Sequence, residues 1–183
     1  MIQTIGGMTL SMEPTDDTTP EAIVGNRLTA REETVAIAES LTGGLISSQI
    51  TDVPGASAYF DRAVVTYSNR SKQEMLGVSR EALDTHGAVS EAVAEEMAAG
   101  VRDTAGTTWG VSTTGIAGPT GGTDDKPIGL VYIGVAYAAP WGSEDSFVRV
   151  DRHVFDGDRT AVKTKTATNA LNALATAIDN AAD

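Results

Sequence analysis

Two short segments, each at a strand-to-helix junction, carry side chains that could do chemistry. The first is Ala38-Glu39-Ser40-Leu41-Thr42-Gly43-Gly44, which follows an apolar run and precedes a helical pattern. In α/β sheets ligands gather beyond the carboxyl ends of strands, where a helix N-terminus offers free N–H groups and the positive end of its dipole. A serine at that bend, Ser40, can be presented to a ligand, and Gly43 and Gly44 let the ligand approach the backbone. The plainer alternative is that Ser40 only caps the helix. The second segment is Thr66-Tyr67-Ser68-Asn69-Arg70-Ser71-Lys72, again a strand running into a helix. A lysine taken out of water gives up its proton more readily and becomes a base, whereas on a solvated face Lys72 is an ordinary surface charge. Asn69 fits as the N-cap of the helix that carries Lys72.

Two further segments are suited to an anion. Gly115 to Gly129 is a long Gly/Pro-rich loop, and long loops in compact domains are more often functional than idle. Its glycines, Gly115, Gly118, Gly121 and Gly122, can form a nest of N–H groups. The loop contains neither a Gly-Lys-Ser/Thr phosphate motif nor a G-x-G-x-x-G fingerprint. In Phe155-Asp156-Gly157-Asp158-Arg159, Asp158 caps the final helix. Arg159 then stands in the first turn, where the helix dipole disfavours a cation. That misplacement points to an anionic partner; a surface Asp–Arg pair is the alternative. His86 and His153 are far apart, with no metal-ligand spacing around either, and no metal or cofactor is expected.

Elements that position these segments can be read from pattern. A helix starts at Pro20 behind Thr19, strands cover Thr34–Glu39, Ala63–Tyr67, Trp109–Thr113, Leu130–Tyr137 and Ser146–Phe155, and the last strand is antiparallel to its predecessor. Helices cover Leu45–Ile50, Arg70–Leu76, the stretches behind the N-caps Ser79 and Ser90, and Ala161 to Ile178. Early alternation of strand and helix followed by a hairpin predicts an α/β fold, a three-layer α/β/α sandwich with a mixed, mostly parallel sheet. Residues 1–18 read as a loose acidic leader and residues 19–183 as one domain, the number that the length suggests.

Composition narrows the function classes. Of 183 residues, 13 are basic and 25 acidic, for a formal charge of −12. Such a chain is poorly matched to nucleic acid or anionic membrane. There is no cysteine, which excludes disulfides, thiolate metal sites and thiol nucleophiles. No signal peptide and no membrane-length apolar run occurs, so the cytoplasm is expected. An aspartate-rich surface with only four lysines suits multimolar salt, where the Debye length falls below about 3 Å, and a halophilic source is expected.

The segments VAIAESLTGG (35–44), VVTYSNRSK (64–72), HGAVSE (86–91), STTGIAGPTGGTDDKPIG (112–129) and FDGDR (155–159) together resemble the CinA C-terminal domain family, the nicotinamide mononucleotide (NMN) deamidases. The likeness runs from about Thr19 to Ala177. It implies hydrolysis of the carboxamide of NMN to nicotinic acid mononucleotide and ammonia by a Ser/Lys dyad, with Ser40 as the serine and Lys72 as the lysine. The family commonly has cysteine where this chain has Leu41. On that reading the N–H groups of Thr42, Gly43 and Gly44 are candidates for an oxyanion hole, and Tyr67 for a bond to Ser40 or Lys72. The Gly115–Gly122 loop with Arg159 or Lys126 is a candidate phosphate site, with the Thr42 and Thr114 hydroxyls and Asn69 reaching the substrate. Other readings of the same residues are a non-catalytic nucleotide-binding module, a Ser/Lys amidase acting on another small substrate, and a protein partner in DNA uptake or repair. A homo-oligomer is expected only from the habit of small enzymes.

Overall fold

A computed structural model describes residues 18–181. Apart from Thr18, the acidic leader expected at the N-terminus lies outside the described residues. Helix α1 (Pro20–Arg31) starts where the sequence requires: Thr19 Oγ1 accepts from the Ala22 N–H and Pro20 fills the first helical position. Strand β1 (Val35–Glu39) is buried along its whole length, as an apolar run in the centre of a sheet must be. The order continues with α2 (Leu45–Thr51), a 3₁₀ turn (Ala56–Ala58), β2 (Phe60–Val65), α3 (Asn69–Leu76), α4 (Arg80–His86) and α5 (Glu91–Ala105). It ends with β3 (Trp109–Gly115), β4 (Leu130–Tyr137), β5 (Phe147–Val154) and α6 (Arg159–Asn180).

The five strands form one sheet in the order β2-β1-β3-β4-β5. β1 pairs in parallel with β2 and β3, whereas β4 is antiparallel to both β3 and β5. Four strands therefore run one way and β4 alone runs the other, the mixed, mostly parallel sheet of a three-layer sandwich. The helices α1, α2 and α6 bury Val35, Ile37, Val111 and Ile133 on one face. On the other face α5 covers Ala36 and Ala38 with Val93, Met97 and Val101. This second layer is set very close. A Cβ on Gly110 would lie 2.2 Å from the Ala98 carbonyl oxygen, and one on Gly134 2.7 Å from that of Ala94. Glycine at these two strand positions lets the α5 backbone press on the sheet, and Ser112 Oγ donates to the Ala94 carbonyl at 2.6 Å across the same seam.

Most elements end within one or two residues of the expected bounds, and two differences bear on the site. β2 covers Phe60–Val65 instead of Ala63–Tyr67, because the pairing with β1 ends when the Thr66 N–H donates to the Glu39 carbonyl. Thr66 and Tyr67 thus belong to the turn. The N-cap of α3 is Ser68 and not Asn69: Ser68 Oγ accepts from the Ser71 N–H while Ser71 Oγ accepts from the Ser68 N–H, a reciprocal box that Asn69 cannot form. Ser79, Ser90 and Asp158 cap α4, α5 and α6 as expected. Among the described residues no helix is long and apolar enough to cross a membrane.

Candidate active site

The carboxyl ends of β1, β2 and β3 lie side by side, and the connections leave β1 and β3 in opposite directions along the sheet. Such a switch point opens a crevice. Ser40 is the first residue beyond β1, and its N–H continues the ladder by donating to the Thr113 carbonyl at 3.0 Å. Lys72, one turn into α3, reaches back into the sheet edge. Its Nζ lies 3.1 Å from Ser40 Oγ and donates to the Thr66 carbonyl at 2.7 Å. The sequence reading of Lys72 as a surface charge is thereby excluded: the residue is 1% exposed. None of the ion pairs among the described residues includes it. Burial without a counter-charge disfavours the ammonium and lowers the Lys72 pKa from 10.5 to about 8. An amine in that range is neutral often enough near neutral pH to take a proton from a hydroxyl within hydrogen-bond reach.

What fixes Ser40 is its neighbour. Glu39 is fully buried, and its carboxylate accepts from the Gly44 and Ile46 N–H groups through Oε2 and from the Ser47 N–H and Oγ through Oε1. This carboxylate, not Ser40, is the side chain that satisfies the N-terminus of α2; the N-cap residue itself is Gly44, which makes no side-chain cap. Thr42 is likewise structural. It is fully buried and its hydroxyl is bonded to that of Thr113 at 2.8 Å, so it does not face a substrate. The Gly44 N–H, already donated to Glu39, is no oxyanion donor. The N–H groups of Leu41, Thr42 and Gly43 make no hydrogen bond among the described residues, and of these three residues only Leu41 lines the cavity that holds Ser40.

Ser40 and Lys72 share a cavity of about 160 Å³ with Leu41, Tyr67, Ala88, Val89, Thr114, Gly115, Ala117 and Arg159. Sites for whole drug-sized ligands measure roughly 300–1,000 Å³. This one therefore holds the reacting end of a molecule and not all of it. Ala117 and Arg159 also wall an adjoining cavity of about 470 Å³ with Pro119, Ile128, Gly157, Asp158 and Thr160. Tyr67 lines the first cavity, but its hydroxyl takes a bond from Arg159 Nη2 at 3.4 Å and is hydrogen-bonded to neither Ser40 nor Lys72. Arg159 Nη1 also donates to the Gly118 carbonyl at 2.8 Å, so the guanidinium spans the mouth of the site from loop to turn.

The other expected ligands divide. Thr114 and Gly115 line the cavity, with the Thr114 hydroxyl donated to the Ala88 carbonyl at 2.7 Å. Gly118 contributes a carbonyl to Arg159 in place of an N–H to an anion. Gly121 and Gly122 are exposed, and neither is among the residues lining the Ser40 cavity; a Cβ on Gly122 would meet Ile128 instead. Asn69 is exposed on α3 and also stands outside that lining. The N–H groups of Gly118, Gly121 and Gly122 make no hydrogen bond among the described residues. Lys126 Nζ donates to the His86 carbonyl, next to the Ala88–Val89 wall.

Three residues were missed. Glu39 could have been found by asking which acid precedes a helix N-terminus. Thr66, whose carbonyl holds Lys72, gives no signal in sequence because a backbone atom does the work. Lys163 lies one turn after Arg159 on α6, and its Nζ is 3.8 Å from where a Cβ on Gly43 would stand. All six ion pairs among the described residues use arginines: Arg27, Arg31, Arg62, Arg70, Arg80 and Arg102. The cations outside these pairs are Lys72, Lys126, Arg149, Arg152, Arg159, Lys163 and Lys165. Of these, Lys72 and Arg159 line the Ser40 cavity, and Lys163 lies beside Gly43.

Comparison with known proteins places this arrangement. Residues 17–178 match the family model of the CinA C-terminal domain. A CinA-like protein of Salinibacter ruber is 52% identical over 157 residues, covering 86% of this chain and 36% of the relative. A putative competence-damage inducible protein of Moorella thermoacetica is 46% identical over 157 residues, again covering 86% and 36%. The chain thus spans little more than a third of the curated relatives it matches. Among solved structures, a CinA superfamily protein from Klebsiella pneumoniae superposes with a TM-score of 0.80 at 32% identity, covering 88% of this chain and 96% of that one. A competence/damage inducible protein from Agrobacterium tumefaciens gives 0.80 at 36% identity, covering 93% and 99%. With the family model matched over most of its length and relatives this similar, the chain belongs to the CinA family through its C-terminal domain.

Proposed function

We propose that this chain hydrolyses the carboxamide of NMN, releasing ammonia and nicotinic acid mononucleotide, as a cytoplasmic Ser/Lys amidohydrolase. The observation that carries this reading is the buried, carboxylate-free Lys72 with its Nζ 3.1 Å from Ser40 Oγ. Neutral Lys72 takes the Ser40 hydroxyl proton as Oγ attacks the carboxamide carbon. The oxygen of the tetrahedral intermediate is met by N–H groups from the Leu41–Gly43 turn. Lys72 passes its proton to the departing nitrogen, the C–N bond breaks, and ammonia leaves an ester on Ser40. Water then attacks that ester. Lys72 accepts the water proton and returns it to Oγ as the acid product departs.

The substrate's pyridinium supports the same assignment. Its positive charge draws electrons from the carboxamide and, beside Lys72, further favours the neutral amine. The small cavity suits the ring, and the ribose phosphate extends toward Arg159 and Lys163, two unpaired cations one turn apart on α6. The acid-rich surface, on the same reading, is fitted to high salt. The test is direct: purified protein is incubated with NMN, nicotinamide, nicotinamide riboside and NAD, and ammonia is measured. Release from NMN and from none of the others is expected. Binding of NMN with no ammonia would replace the enzyme by a nucleotide-binding module; release from another carboxamide would change the substrate.

A further inference from the structure

The two edges of the sheet are finished differently. On the β2 edge the pairing with β1 is irregular at its start, and the exposed Asp61 and Arg62 are bonded to each other. Bulges, prolines and charged side chains are ways of making an edge unattractive to another strand. β5 has no bulge, and the two charges it carries on one face, Arg149 and Asp151, are of opposite sign. It is regular along its length against β4, from Leu130↔Val154 to Tyr137↔Phe147, and contains no proline. Its charged side chains have no opposite charge of their own. Arg149 lies over the Phe147 ring at 4.5 Å, and among the described residues neither the Arg149 nor the Asp151 side chain makes a hydrogen bond or an ion pair.

The hydrogen-bonding phase of β5 is fixed by its neighbours. The Leu130 carbonyl accepts from the Ile116 N–H on the β3 side, and the Phe155 N–H donates to Gly129 on the β4 side. Odd-numbered β5 residues therefore turn their backbone groups toward β4, and Val148, Val150, Arg152 and Val154 turn theirs outward. Arg149, Asp151 and His153 share one face, where they line a groove of about 360 Å³ against Asn169, Asn172 and Thr176 of α6.

We propose that β5 pairs antiparallel with β5 of a second copy of this chain, on a two-fold axis through Val150, joining two five-stranded sheets into one. In this register Val150 meets Val150, and Val148 meets Arg152 of the second copy, so that residues with outward N–H and C=O groups face one another. On the other face Arg149 stands opposite Asp151 of the second copy, and Asp151 opposite Arg149. Both unpaired charges are satisfied twice over by symmetry. Moving the axis one residue either way puts Arg149 against Arg149 or Asp151 against Asp151, so the charges select a single register. The two Ser40 clefts then open on opposite edges of the joined sheet and work independently.

Sedimentation equilibrium of the full chain, at an ionic strength where it is folded, tests the proposal. A dimer is expected at micromolar concentration. Arg149→Asp and Asp151→Arg each set like charges opposite one another at two places and should weaken the dimer about tenfold or more. The combined variant carrying both changes should restore it to within about threefold, because it exchanges the two signs. Val150→Pro removes an outward N–H that the monomer does not use, a position where an edge strand tolerates proline, and should give a folded monomer. A monomer at all concentrations overturns the proposal. A dimer indifferent to the single charge reversals overturns it as well, and so does failure of the exchanged pair to restore association.

Discussion

The two ends of β1 and β3 bury polar groups in opposite ways. At the amino end Trp109 stacks on Tyr137 with centroids 4.5 Å apart, and Phe147 meets its edge at 6.1 Å. The indole N–H donates to Glu33, Glu33 pairs with Arg31, and Arg31 donates to the Ile178 carbonyl. Each charge there has a partner of opposite sign or a backbone acceptor. At the carboxyl end Lys72 is buried with only a hydroxyl and a carbonyl, and the buried Thr66 hydroxyl has no partner. A buried cation without a counter-charge costs stability. One end of the sheet holds the fold together, and the other holds a base ready at the fold's expense.

Four outcomes would break or sharpen that contrast. The largest concerns the dyad. Ser40→Ala and Lys72→Ala should each lower ammonia release from NMN by about a thousandfold or more, and the double variant should be little worse than either, since the pair acts as a unit. Next comes the opposite end, where Trp109→Ala should cost about 3–5 kcal/mol in denaturant melts while the fraction still folded keeps its turnover. Third is Lys72→Met, which should abolish turnover yet raise stability at pH 7. With a folded pKa of about 8 against 10.5 for the free side chain, the native state binds fewer protons between these values. The Lys72 contribution therefore rises with pH across that window, and the gap between Lys72→Met and wild type should narrow by about 3 kcal/mol from pH 7 to 10.5. In the wild type kcat/KM should climb nearly tenfold per unit below about pH 8 and level off above it, once Lys72 is neutral. The smallest effect is expected at the rim: Arg159→Ala and Lys163→Ala should each raise KM for NMN about tenfold with kcat nearly unchanged, the mark of binding that is equal in ground and transition states.

Much of this was legible in the chain itself, for reasons that can be named. β1 announces itself because a central strand must be apolar throughout, and the capping serines because an N-cap has a side-chain requirement. Ser40 and Lys72 were visible as residue types at strand ends. Their contact was expected only from the family resemblance, because residue types alone do not show the Thr66 backbone carbonyl that receives Lys72. The assignments that failed share a cause. Thr42 and Gly44 were given to the substrate and Tyr67 to Ser40 or Lys72 on the strength of their place in a motif, but each is engaged by a protein partner that sequence spacing does not reveal: Thr113, Glu39 and Arg159. Lys163 was overlooked for the converse reason, being an ordinary helix lysine until α6 is laid beside Gly43.

The capping of α2 by Glu39 bears on how such motifs persist over time. In Glu39-Ser40-Leu41-Thr42-Gly43-Gly44, one hydroxyl is proposed for chemistry, while Glu39, Thr42 and Gly44 are tied into the fold by hydrogen bonds to the α2 N-terminus and to β3. A descendant that lost the Ser40 hydroxyl would still need those neighbours in order to fold. Selection for folding alone would preserve the surrounding letters, so the spelling of the motif can outlive the reaction, and only the serine and its buried lysine distinguish a working copy from a retired one.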